Sequence, residues 1–170
     1  PIRTKEACTD FPGRGKERMN AGLLFYRARR TAACQNVLNR AAGPFGTVLS
    51  GICVCVRPED LNGDIARLLR GNTVLFLLSS APERRPECSA AIFRTLRVPF
   101  DASGEPKGIL GLPGREKTGY LIESADQAIV LLPDNPEEIE RMLPRVFARL
   151  RKKFGFADNA RESVRKAPTA

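Results

Sequence analysis

The sequence predicts an α/β fold: a three-layer domain with a mainly parallel sheet and a small inserted antiparallel β excursion. Three observations carry that prediction. Residues 128–132 (AIVLL) are a continuous apolar run of strand formers, the pattern of a strand buried on both faces, and a tight turn leads from it into an amphipathic stripe. Similar runs at 22–26, 51–56 and 73–78 alternate with helix-like stretches, and such alternation builds a mainly parallel sheet covered on both sides. The texture then changes at 99–123, where Pro99, Pro106, Pro113 and several glycines punctuate two short strand candidates, 108–112 and 119–123. That stretch reads as an antiparallel insertion before the last strand–helix unit.

Taken in order, residues 1–18 are polar and basic and are broken by Pro12, Gly13 and Gly15; they read as a flexible arm. The chain opens on Pro1, and Met19 stands as a candidate natural start. The domain is expected over 19–156 and a polar tail over 157–170. After strand 22–26 comes a basic helix candidate, 27–42, with Ala28, Ala32, Val37, Leu38 and Ala41 as weak apolar positions. Gly43, Pro44 and Gly46 make a loop. In strand 51–56, Cys53 and Cys55 fall on one side and read as core thiols. Pro58 opens a helix through Ile65, Leu68 and Leu69 that Gly71 and Asn72 end. Strand 73–78 (TVLFLL) leads through Ser79–Pro82 to a helix carrying Ala90, Ile92, Phe93 and Leu96.

The last unit is the most explicit. Asn135 is a good N-cap, Pro136 suits the first helical position, and Glu138 stands where a capping box places a carboxylate. Ile139, Met142, Leu143, Val146, Phe147, Leu150 and Phe154 then recur at helical spacing, forming one apolar stripe. Acidic residues come first (Glu137, Glu138, Glu140) and basic ones last (Arg149, Arg151, Lys152, Lys153), as the helix dipole favours. Pro144 lies inside this helix and removes a bond to the Glu140 carbonyl, so a kink is expected there.

Composition excludes several classes of function. Histidine is absent, which removes Ser-His and Cys-His catalysis and leaves few ligands for a metal, so no metal site is assigned. Five cysteines, an odd number, do not suggest a disulfide framework. No apolar stretch is long enough for a membrane span and no secretory signal is visible, so a reducing, cytoplasmic compartment is expected. The excess of 28 Lys and Arg over 19 Asp and Glu sits wholly at the two ends of the chain. Basic ends suit nucleic acid or anionic surfaces, but more often they are solvated tails, and here they lack the interleaved aromatics of single-strand binders.

Two loops invite a chemical reading. Residues 111–118 (GLPGREKT) nearly spell a phosphate loop, but Glu116 stands where the glycine before the lysine is required and a strand pattern follows instead of a helix. The stretch reads as a decoy, with Lys117 a solvated loop residue. Residues 79–87 (SSAPERRPE) follow the C-terminal end of a central strand, where open α/β sheets place their ligands. Ser79 and Ser80 can hydrogen-bond an anion, and Arg84 and Arg85 can pair with phosphate. The alternative is an ordinary strand–helix loop with an N-cap serine.

Residues 74–100 with 119–144 resemble the molybdopterin-binding-type domain of the competence/damage-inducible CinA family, which is related to the MoaB and MogA proteins. Met19-Asn20-Ala21 with Leu23-Leu24-Phe25 is similar to the family's opening strand. Residues 51–69, with Asp64 and Ile65, are similar to its second strand and helix. Gly119-Tyr120, then 128–132 and Leu132-Pro133-Asp134-Asn135-Pro136-Glu137-Glu138-Ile139, are similar to its PGF … LPGVPxEM ending. The resemblance covers most of 19–154 and implies a MoaB/CinA-like fold, a molybdopterin or nucleotide ligand, a divalent metal and often self-association into a homo-oligomer.

The family's ligand loop, T-G-G-x-G-P-T-x-D-D-x-T, is matched only at Pro82. Leu78, Ser79 and Ala81 replace its glycines, and Arg85 and Pro86 replace its paired carboxylates. Arg27-Ala28-Arg29 stands near its G-T-E motif. The expectation is therefore a CinA-like binding or accessory protein, or a pseudoenzyme, with a phosphate-containing small molecule as its partner. The alternatives are an active enzyme on a phosphate-containing nucleotide or pterin, acting through Ser79, Ser80, Arg84 and Arg85, and a nucleic-acid-binding protein acting through its basic ends.

Overall fold

The computed structural model describes residues 19–155. The expected arm (1–18) and tail (157–170) lie outside the described residues. Among the described residues six strands form one sheet: β1 (Asn20–Tyr26), β2 (Val48–Cys55), β3 (Val74–Ser79), β4 (Leu110–Pro113), β5 (Thr118–Glu123) and β6 (Ala128–Pro133). Their order across the sheet is β2-β1-β3-β6-β5-β4. The first four in that order are parallel, while β5 runs antiparallel to β6 and β4 antiparallel to β5. The expected insertion is thus the far edge of the same sheet.

Among the same residues four α-helices cover it: α1 (Thr31–Ala42), α2 (Pro58–Leu69), α3 (Ser89–Thr95) and α4 (Pro136–Phe154). Period-two alternation divides the core. Leu23, Phe25, Phe76, Leu78, Val130 and Leu132 pack with α1 and α4, whereas Leu24, Leu75, Leu77 and Leu131 pack with α2 and α3. Ile139, Leu143, Phe147 and Leu150 of α4 are all buried, as the apolar stripe requires. Burial raises the Cys34 thiol to about 11 and the Cys88 thiol to about 12, so both behave as small core hydrophobes.

Two local expectations change. The helix expected from residue 27 begins at Thr31. Arg27 has a left-handed backbone (φ 47°), and its N–H donates to the Cys55 carbonyl at 3.2 Å, so it closes the β1–β2 ladder. The run at β2 is covered on one side only: β2 is an edge strand, with Ile52 51% and Val54 67% exposed. On its other side Cys55 is buried and Cys53 half-buried, packed among residues of α2. The helix α4 continues from Pro136 to Phe154 across Pro144.

The start of α4 explains itself only partly from sequence. Asn135 Oδ1 accepts from the N–H groups of Glu137 and Glu138 at 3.0 and 3.4 Å, the expected cap. Glu138 does not close a capping box. Its carboxylate, 5% exposed as a residue, accepts from the backbone N–H of Arg115 at 2.8 Å and of Glu116 at 2.9 Å, in the β4–β5 turn. The stretch that resembles a phosphate loop therefore does cradle an anion on successive N–H groups, and that anion is a carboxylate of the chain itself. Lys117 is not solvated. It is half-buried, and its Nζ donates to the carbonyls of Ala81 and Glu83 at 2.7 and 2.6 Å.

Candidate functional site

Where β1 ends, the chain passes to α1 on one face of the sheet; where the adjacent β3 ends, it passes to α3 on the other face. Chain segments leaving neighbouring strands in opposite directions open a crevice at the carboxyl edge, the usual ligand position in open α/β sheets. A cavity of about 520 Å³ lies there, lined by Arg27 and Arg29 after β1, Ser80, Ala81, Pro82 and Glu87 after β3, and Asp134 after β6.

Its electrostatics are largely settled by internal pairing. Arg27 donates through Nε to the Val56 carbonyl (3.0 Å) and through a terminal nitrogen to Glu87 (3.0 Å). The Ser80 hydroxyl donates to the other Glu87 oxygen. Together, the Ser80 hydroxyl first and then Arg27, these hold the Glu87 carboxyl below the ordinary glutamate range. Asp134 Oδ2 accepts from the Arg29 backbone N–H at 2.7 Å, and the Asp134 N–H donates to the Ser79 carbonyl at 2.9 Å. Among the described residues the Arg29 guanidinium has no hydrogen-bond or ion-pair partner. It is exposed and stands at the crevice wall.

Of the four candidate ligand residues Ser79, Ser80, Arg84 and Arg85, only Ser80 lines this crevice. Ser79 is fully buried; its Oγ donates to the Ser80 carbonyl and accepts from the Cys88 N–H, so it shapes the loop from beneath. Arg84 and Arg85 turn toward the insertion. Arg84 Nε donates to Thr118 Oγ1 at 3.2 Å, and Arg85 donates to Glu105 at 2.8 Å and to the Gly104 carbonyl at 3.0 Å. Arg27, Arg29, Glu87 and Asp134 were not anticipated as site residues. The Arg-Ala-Arg sequence after the first strand and the aspartate after the last were the available signals, because both follow strand ends.

The loop itself is braced from outside. Lys117 holds two of its carbonyls, and the Thr118 N–H donates to the Arg84 carbonyl at 2.8 Å. Glu138 fixes the turn that presents Lys117. The crevice loop thus rests on the β4–β5 turn, which rests on the first turn of α4.

This donor set does not fit a divalent metal. Both crevice carboxylates are engaged, two arginines share the space, and a cation there meets charge repulsion. Among the described residues no group of three Cys, Asp or Glu stands together as ligands. What the set offers an anion is the available Arg29 guanidinium at the edge of the sheet, beside a second guanidinium already paired with Glu87.

No protein-family model matches the sequence, and no curated protein matches it. Solved structures do. CinA of Thermoplasma acidophilum, described as a protein of unknown function, superposes with a TM-score of 0.63 at 11% identity, over 78% of this chain and 98% of that one. A protein of Corynebacterium diphtheriae, assigned on provisional grounds to molybdenum cofactor biosynthesis, superposes with a TM-score of 0.56 at 13% identity, over 82% and 98%. The fold is the one these two structures share. Among the described residues no helix is long and apolar enough to cross a membrane.

Proposed function

We propose that this CinA-like, molybdopterin-binding-type domain is a binding or accessory module for a phosphate-containing small molecule, held without a metal in the crevice between the ends of β1, β3 and β6. The unpartnered Arg29 guanidinium at the carboxyl edge of the sheet is the observation that carries this reading. Arg27 is already fixed by Val56 and Glu87, so its charge is preorganised and little side-chain ordering accompanies binding. The family resemblance in the sequence implies a pterin or nucleotide as the bearer of the phosphate; the crevice residues themselves select for the anion.

The carboxylates a metal-assisted hydrolase would need are occupied, which favours a pseudoenzyme over an active one. A thermal-shift series with nucleotides, molybdopterin precursors and inorganic pyrophosphate tests the reading. A ligand of the native state raises the melting temperature, and the rise is expected to persist in chelator and to vanish in Arg29→Gln. Chelator-sensitive turnover of a nucleoside diphosphate sugar would contradict it.

A further inference from the structure

A second cavity, of about 450 Å³, lies on the outer side of the 82–87 loop, between α3 and the insertion. Its chemistry differs from that of the crevice. Phe93, buried, and Phe100, 47% exposed, place their rings 5.9 Å apart at 70°, forming an aromatic corner. Ser89 also lines the cavity. It is only 3% exposed, and its hydroxyl has no hydrogen-bond partner among the described residues, an arrangement that is costly unless something completes it. Arg84 stands at the wall with Nε on Thr118, and its terminal nitrogens have no partner among the described residues.

The exposed aromatic is held in place. Phe100 bridges to Pro106, and Asp101 Oδ1 accepts from Ser103 N–H, Ser103 Oγ and Glu105 N–H. Arg85 ties this turn to the loop through Gly104 and Glu105 while standing over the Tyr120 ring, which itself meets Phe93 edge-on at 5.1 Å. A braced aromatic ring open to solvent suits a flat ligand ring.

We infer that this cavity is a second ligand site, separate from the crevice, for a planar aromatic acid. Its ring rests in the corner of Phe93 and Phe100, its anionic group pairs with Arg84, and a polar substituent on the ring reaches the Ser89 hydroxyl.

Fluorescence titration of the full chain with 2-naphthoate and 6-hydroxy-2-naphthoate tests this. Both should bind saturably, the hydroxy acid more tightly, and neutral 2-naphthamide about tenfold more weakly, as expected for a lost charged hydrogen bond. Phe100→Ala removes an exposed ring and should weaken both acids by about tenfold. Ser89→Ala removes a hydroxyl that bonds nothing and should abolish the preference for the hydroxy acid. Arg29→Gln in the crevice should change none of this. Absence of saturable binding, indifference to Phe100→Ala, a preference that survives Ser89→Ala, or loss in Arg29→Gln would each overturn the inference.

Discussion

The carboxylate of Glu138 fills the space that a side chain on residue 114 would need: a Cβ built on Gly114 overlaps Glu138 Oε2 and stands 2.9 Å from the Lys117 carbonyl. Glycine is thus demanded in the β4–β5 turn by close approach of a carboxylate. That carboxylate is buried, negative, at the N-terminal turn of a helix, and bonded to two N–H groups from a turn 22 and 23 residues away. Glu138→Ala would leave both N–H groups without it, and a loss of about 2–3 kcal/mol is expected. Gly114→Ala should cost a similar amount, about 1–3 kcal/mol, by overpacking. Urea denaturation of the two variants checks both; a change below about 0.5 kcal/mol in each would place the turn's stability elsewhere.

Lys117 transmits that fixation to the crevice. Lys117→Met keeps most of the side-chain volume but releases the carbonyls of Ala81 and Glu83. Amide exchange over residues 80–87 should accelerate, while the core strands β3 and β6 keep their protection. Unchanged exchange in the loop would mean that the ammonium does not brace it.

The two glycines at 111 and 119 separate close approach from mere strand weakness. A Cβ on Gly119 would meet the Leu131 carbonyl at 2.6 Å and Met142 Sδ at 3.0 Å, whereas one on Gly111 meets nothing within 4 Å. Gly119→Ala should therefore destabilise by about 1–3 kcal/mol, and Gly111→Ala should stay within about 0.5 kcal/mol of the parent. Thermal unfolding of the pair tests the contrast, and equal effects would refute it.

The Ser80–Glu87–Arg27 network has a defined pH signature. The Glu87 carboxyl is held below its ordinary value of 4.5, by the Ser80 hydroxyl first and then by Arg27. A depressed carboxyl contributes stability that is present above the ordinary value and lost as pH falls through the depressed one. Glu87→Gln should accordingly reduce stability near neutrality and flatten its decline in the acid range. A variant that retains the full acid-range slope would show that Glu87 does not contribute to it.

Much of the fold was legible because its central strands are buried on both faces and so appear as unbroken apolar runs, as at β3 and β6. The α4 cap was legible because Asn135 and Pro136 act on their own neighbours. What escaped was set by distance in the chain. Glu138 looks local but serves a turn more than twenty residues earlier, and Lys117 looks solvated but reaches back to Ala81 and Glu83. Arg29 and Asp134 meet across 105 residues. Edge position is equally invisible: Ile52 and Val54 belong to an apolar run expected in a sheet covered on both sides, although among the described residues β2 has a neighbour on one side only. A crevice does open after the third strand, but which arginines enter it depends on where the insertion pulls Arg84 and Arg85.

Calorimetric titration with inorganic pyrophosphate, in chelator and at low salt, tests the central claim most directly. The account predicts saturable binding to the unmodified chain, loss of that binding in Arg29→Gln, and retention in Arg84→Gln, whose side chain lies outside the crevice. Binding that requires added magnesium, or that survives Arg29→Gln and disappears in Arg84→Gln, would contradict it.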